Sequence, residues 1–313
     1  MTSKEYKNHI AIVGATGTGK TALAQRLAAA VEDVELISVD AMAVYIGFDI
    51  GTAKPLGMER SRFKWHLLDL VEADREFSVA EFQEKFNESI AQIEVERKRA
   101  ILVGGTGLYH RAVIDNLELP SRYPEIAKEL EDKWSQPSGA EELYGLLVKL
   151  DSKAAEKILP NNMRRVVRAL EVTLGSGRPF SSFGPGLTLY EPNNIQLFGL
   201  SMDRKDLSQR LSLRLDMQLE TGFVEEVRKL YREKEISKTA RQAIGYAEIF
   251  DYLEDKLTFD ETKEKILKRT RDYAKRQEAW FRRDPRVCWL KGSEEENFRV
   301  IYEYMTFSGH VGY

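Results

Sequence analysis

The chain has 313 residues, 42% hydrophobic and 31% charged, with a formal net charge of −3 and one cysteine. That length lies just above the roughly 250–300 residues at which a single core stops growing, so one main domain with an insertion is expected. No apolar run nears the ~20 residues of a membrane-spanning helix, MTSKEYKNH is no leader segment, and one cysteine with four scattered histidines excludes both a disulfide framework and zinc-finger spacing, so a cytoplasmic protein without membrane contact is expected.

HIAIVG (9–14) reads as a strand entering a turn, Gly14-Ala15-Thr16-Gly17-Thr18-Gly19-Lys20-Thr21. This stretch fits G-x-x-x-x-G-K-[ST], the phosphate loop of nucleotide- and ATP-binding proteins. Its backbone N–H groups cradle an anion, Lys20 adds a charge, and the Thr21 hydroxyl suits Mg²⁺. TALAQRLAAAV (21–31) follows at helical spacing. VELISVD (34–40) is a second strand ending in Asp40. FSVAEFQEKFNESIAQIEVERKR is a helix with a capping box, Ser78 with Glu81, and a staple between Phe77 and Phe82. AILVGG (100–105), IQLFGL (195–200) and VCWL (287–290) complete about five strands, the last burying Cys288 as inert packing.

Strands alternating with helices predict an α/β fold, a parallel helix-covered sheet of the P-loop NTPase type with helical insertions. Ligands of such sheets bind beyond the carboxyl ends of the strands, where the phosphate loop, Asp40 and GGTGLY all fall. The expected division is a first core part at 1–120, a helical insertion at 121–159, and core again at 160–205 with the strand at 195–200. A helical region at 206–264, holding a long helix from Asp203 broken at Gly222, precedes a core return at 265–313 with a basic helix and the last strand. A hydrolase also needs a metal-holding acid and a water-positioning group. Asp40 fits the first role, but the GGTGLY strand offers no acid, so the loop need not hold ATP.

GATGTGKT, ISVD, DIGTAKP (49–55), HLLD (66–69), LVGGTGLY (102–109), RRVVRALEV, GFVEEVRKL, RQAIGYAE and KRQEAWFRR together resemble the tRNA dimethylallyltransferases, also called tRNA isopentenyltransferases. The resemblance implies transfer of a five-carbon prenyl group from dimethylallyl diphosphate to the exocyclic amine of the adenine 3′ of the anticodon, with Mg²⁺. It implies that the loop, Gly14 to Thr21, grips the leaving diphosphate, that Thr21 holds the metal, and that Arg228 helps neutralise charge. Asp40 would accept the amine's proton and Thr106 would lie near the acceptor base. Where the family shows Asp-Ser-x-Gln, this chain has Asp40-Ala41-Met42-Ala43, so two polar side chains beside the proposed base are missing.

The tRNA side rests on local charge. Residues 268–286 hold eight basic residues against three acids, on an acidic chain, which is how a protein engages a polyanion at one face. Lys275, Arg276, Gln277, Trp280 and Arg282 are candidates there, with the aromatic free to stack on an unpaired base or to pack in the core. Arg164, Arg165 and Arg168 of RRVVR, and Arg241 and Tyr246 of RQAIGYAE, are weaker ones. The expected partners are the tRNA anticodon stem-loop and dimethylallyl diphosphate, and no long apolar stripe argues against a monomer. Alternatives are a free-adenylate isopentenyltransferase, a small-molecule kinase, and a non-catalytic tRNA-binding protein. Blander roles also stand: Asp40 as strand-end cap, Arg228 paired to Glu225, and DIGTAKP as a shaped turn.

Overall fold

The computed structural model describes residues 9–184, 187, 189–233 and 235–307. Two compact units partition the chain: one of residues 1–114 and 192–313, the other of 115–191.

The first unit is built on a six-stranded, all-parallel sheet. Its strands are β1 (His9–Gly14), β2 (Val34–Ser38), β3 (Trp65–His66), β4 (Arg99–Val103), β5 (Ile195–Leu200) and β6 (Val287–Leu290), in the order β3-β2-β4-β1-β5-β6. Every residue of β1 is buried, as expected of a central strand covered on both faces. Ile10 and Ile12 join Leu23 and Leu27 of α1 (Lys20–Ala30) and Ile301 and Met305 of the C-terminal helix on one face. Ala11 and Val13, pointing the other way, join Phe82, Tyr109 and Phe281. The strand period of two thus divides one apolar run between two cores.

On the chain follow α2 (Gly57–Arg62), α3 (Val79–Val95) and α4 (Gly107–Ile114). The Ser78–Glu81 capping box opens α3 as expected, each side chain bonding the other residue's backbone N–H. The second unit holds α5 (Pro124–Trp134), α6 (Gly139–Leu150), α7 (Ser152–Lys157) and α8 (Met163–Ser176) around its own core, with Leu143, Leu147, Val166 and Leu170 at its centre. It therefore runs beyond the 121–159 expected of the insertion: α8, assigned from sequence to the core, packs its apolar face here.

The first unit resumes after β5 with α9 (Arg204–Glu220), α10 (Phe223–Glu233), α11 (Lys238–Arg241), α12 (Tyr246–Leu253), α13 (Phe259–Phe281) and, after β6, α14 (Glu294–Phe307). The break at Gly222 is as read from sequence; its φ of +101° suits glycine alone. Two expectations are corrected. A sixth strand, β3, is only two residues long and shows no period. Cys288 is exposed, between the buried Val287 and the partly buried Trp289 of the edge strand β6.

Candidate active site

β1, β2 and β4 are adjacent in the sheet, so the loops leaving their carboxyl ends meet. The phosphate loop closes on itself through Ala15, whose carbonyl accepts from Thr18 Oγ1 at 2.9 Å and from Lys20 Nζ at 2.7 Å. Gly19 caps α1 in the left-handed conformation with no side-chain bond to the first turn, which leaves that turn's N–H groups for an anion. Lys20 is buried; this desolvation, with Arg214's charge adding and Asp40's opposing, brings its pKa down to about 7. Thr21 is half-buried at the start of α1.

Asp40 leaves β2 in a side-chain turn: its Oδ1 accepts from Met42 N at 2.8 Å and Ala43 N at 3.2 Å, leaving Oδ2 for the cavity that Asp40 lines. The loop beyond it is clipped by Lys54. That fully buried ammonium donates to Tyr45 O (2.6 Å), Asp49 Oδ1 (3.0 Å) and Asp69 Oδ1 (2.6 Å), three acceptors for three donors. The lysine of DIGTAKP thus shapes a turn. After β4, Thr106 Oγ1 accepts from Ala41 N at 3.2 Å and joins the two loops.

From the far side α13 locks this assembly. Gln277 Oε1 accepts from Thr16 N at 2.8 Å, and Nε2 donates to Gly105 O at 3.0 Å. A Cβ on Gly105 would lie 2.0 Å from that amide nitrogen, and one on Gly107 would lie 2.2 Å from the Trp280 indole. The glycines of GGTGLY are thus cut to admit α13.

A cavity of about 350 Å³ results. Its lining combines the polar Thr16, Asp40, Thr106, Arg214 and Tyr273 with the apolar Phe223, Ile244 and Ile266. Arg214, on α9, was missed by sequence reading. Its Nη1 donates to Thr16 Oγ1 at 2.9 Å, so it adds a cation over the loop. The Leu211 and Leu215 stripe beside it marked α9 as packing, and nothing local marked the arginine. Tyr273 and Gln218 were missed likewise. Gln218 Nε2 donates to Ile50 O at 2.5 Å, and Glu226 accepts from Ile50 N at 2.8 Å, so α9 and α10 hold the cavity wall.

Asp40, Ala41, Met42 and Thr106 line the cavity together. Ala43 is buried beneath it. Arg228 does not line it; on α10 it pairs with Glu225 at 3.1 Å. Tyr246 is corrected: it is fully buried, stacked on Phe48 at 4.1 Å and bonded to Glu226 at 2.5 Å, with no surface for RNA. Gln277 is corrected likewise, since it is buried and its carbonyl oxygen and one amide hydrogen serve the loops. Trp280 is half-buried and packs against the core. Lys275, Arg276 and Arg282 are exposed on one stretch of chain, Arg276 over the Tyr273 ring and Arg282 over Trp289 at 4.7 Å. Arg241 pairs with Glu254 and lies over Phe250. In the second unit Arg164 and Arg165 are exposed, whereas Arg168 is tied to Glu171 (2.7 Å) and the Pro120 carbonyl (2.8 Å).

Among the described residues no cluster of three or more His, Cys, Asp or Glu side chains exists to hold a metal. The Thr21 hydroxyl at the phosphate loop is a single oxygen ligand of the kind a Mg²⁺ on substrate phosphates would use. No helix among the described residues is long and apolar enough to cross a membrane.

Comparisons agree with this geometry. A family model described as IPP transferase matches residues 43–284. The tRNA dimethylallyltransferase of Carboxydothermus hydrogenoformans is 41% identical over 303 residues, 96% of this chain and 97% of that one. That of Paenarthrobacter aurescens is 43% identical over 288 residues, 92% of each. Of solved structures, the tRNA isopentenylpyrophosphate transferase of Bacillus halodurans superposes with a TM-score of 0.71 at 36% identity, over 97% of both chains. A eukaryotic dimethylallyltransferase acting on tRNA gives 0.76 at 27% identity, over 97% of this chain and 77% of that one. A phosphate loop without a hydrolase's acid, a carboxylate one loop away and these likenesses converge: the chain belongs to the tRNA dimethylallyltransferase, or IPP transferase, family.

Proposed function

We propose that this protein transfers a dimethylallyl group from dimethylallyl diphosphate to the exocyclic amine of the adenine 3′ of the anticodon in tRNA, releasing diphosphate. The observation that carries this reading is one cavity lined by Thr16 of the phosphate loop, the cation Arg214, the carboxylate of Asp40 and the apolar Phe223, Ile244 and Ile266. The diphosphate lies on the N-terminus of α1 against Lys20 and Arg214, and the prenyl tail meets Phe223, Ile244 and Ile266. The adenine amine attacks the allylic carbon. As the C–N bond forms, Asp40 Oδ2 takes the amine's proton, and the C–O bond breaks with its electron pair going to diphosphate. Proton acceptance of this kind contributes ~10²–10⁴ in rate, and cations aimed at the departing oxygens stabilise the charge that develops there. Thr21 would hold a Mg²⁺ here, which would supply further charge neutralisation.

The base must leave its stack to enter the cavity. The exposed cations Lys275, Arg276 and Arg282 of the first unit suit the backbone of the anticodon stem-loop; Arg164 and Arg165 are exposed cations of the second unit, taken by themselves. Arg228 acts on the diphosphate only if α10 moves, since its present partner is Glu225. The protein works as a cytoplasmic monomer in this reading. The test is Asp40→Ala: turnover of labelled dimethylallyl diphosphate on unmodified tRNA should fall ~10²–10⁴-fold while tRNA affinity stays within about twofold. Full activity of the variant, or transfer of phosphate from ATP by the parent protein, would refute it.

A further inference from the structure

We propose that Phe223 sets the length of the allylic tail: its ring limits the cavity to a five-carbon group and excludes a ten-carbon one. The inference rests on the prenyl-transfer reading and deepens it. Phe223 opens α10, directly after Gly222. It lines the cavity, yet only 1% of it is exposed. A small part of its surface therefore borders the cavity, and the rest belongs to the core. The ring has little room to yield. Its outer edge is held by two glycines of the cavity lining: a Cβ on Gly51 would run into Cε2 and Cζ, and one on Gly245 would lie 2.7 Å from Cζ. Tyr246, which does not line the cavity, packs edge to face on the ring, with centroids 5.0 Å apart. Tyr246 is fixed in turn by stacking on Phe48 and by its bond to Glu226. The backbone at Gly51 is also held, since Glu226 accepts from Ile50 N and Gln218 donates to Ile50 O.

The space is matched to a short tail. A volume of about 350 Å³ is at the low end for ligand sites, ~300–1,000 Å³, and it takes a flipped base as well as the tail. A geranyl group is five carbons longer than a dimethylallyl group. Phe223 is the largest apolar side chain in the lining, and truncating it to alanine removes the six carbons of its ring. Close-packed surroundings transmit strain rather than absorb it, so with the ring in place the longer tail has nowhere to go.

The test compares geranyl with dimethylallyl diphosphate as donors to unmodified tRNA, in the parent, Phe223→Ala, Phe223→Leu and Met42→Ala. The readout is the ratio of kcat/KM for the two donors on one preparation, which a partly unfolded variant does not distort. The step is the same with the longer donor: the C–N bond forms, the C–O bond breaks, and diphosphate leaves with the electron pair. The parent should use geranyl diphosphate at least about tenfold less well, and the ratio should rise about 10–200-fold in Phe223→Ala. That variant leaves a void in the core and lowers Tm; Phe223→Leu is gentler and should raise the ratio about tenfold. Met42→Ala, which enlarges the same cavity from the Asp40 loop, should change the ratio less than about threefold. Where a variant binds without turnover, competition between the two diphosphates for binding reads the same ratio. An unmoved ratio in both Phe223 variants, a parent that uses both donors equally, or a larger gain in Met42→Ala would overturn the inference while leaving the active parent's reaction intact. A parent without activity on tRNA with dimethylallyl diphosphate would instead overturn the reading of the site.

Discussion

Lys20 ties substrate capture to pH. Its ammonium is buried against the Ala15 carbonyl, and burial with Arg214 beside it brings the pKa down to about 7. In the unliganded protein near neutrality, about half of the molecules therefore carry a neutral Lys20. A diphosphate in the loop favours the charged form and returns the pKa towards the ordinary lysine value of about 10.4. A ligand that raises a pKa takes up a proton on binding: about half a proton at pH 7 and about 0.9 at pH 8. The Lys20 contribution to affinity is thus constant below pH 7 and falls about tenfold per unit between pH 7 and pH 10. Calorimetry of dimethylallyl diphosphate binding, in two buffers of different ionisation enthalpy, reads the uptake directly. Lys20→Arg, permanently charged, is the reference, because protons released by the diphosphate itself are common to both proteins and cancel in the difference. Equal uptake by parent and variant at pH 8 would refute the assignment.

Arg214→Ala should weaken dimethylallyl diphosphate binding about 10–100-fold, the range for a hydrogen bond to a charged group, whereas Arg228→Ala should stay within about twofold as befits an exposed helix pair; competition binding with inorganic diphosphate separates them, and the reverse ranking would mean that α10 closes on the substrate. Away from the site, burial pushes the pKa of Glu35 up, but hydrogen bonds from Lys98 (2.7 Å), His66 (2.6 Å) and Lys64 overcome this and hold it below the usual value. Its stabilising contribution is thus present at neutral pH and lost as pH falls below about 4.5. Glu35→Gln should lower Tm by about 2–6 °C at pH 7, a gap that closes towards pH 3 in thermal melts; a pH-independent gap would show a packing effect only. Gly105→Ala forces a Cβ onto the Gln277 amide and should cut kcat/KM about tenfold or more by freeing Thr16 N, and an unaffected kcat/KM would show that this brace is dispensable.

The parts of the site legible in the sequence are those made by consecutive residues. GATGTGKT carries its own geometry, a turn and a helix start, and Asp40 is placed by the strand before it. Arg214 was not legible because it meets Thr16 across 198 residues, brought there by packing of α9. Gln277 and Tyr246 illustrate the opposite error: polar or amphipathic groups within basic or matched segments were read as facing RNA. In the fold Gln277 braces two loops and Tyr246 fills the core against Phe48. Only burial separates these cases, and burial is not local. The sheet was legible from its apolar runs except where a run was two residues long, at β3. Cys288 was misread because an apolar run does not reveal whether the sheet face its side chain points to is covered.

The strand order also acts as a ruler. β4 lies between β1 and β2, so the loop bearing Asp40 and the loop bearing Lys20 spring from strands two places apart, about 10 Å at ~4.8 Å per strand. That interval accommodates an attacking nitrogen about 3 Å from its carbon, followed by the bridging oxygen and the phosphate beyond. The sheet's threading thereby sets the spacing between carboxylate loop and phosphate loop before any substrate arrives.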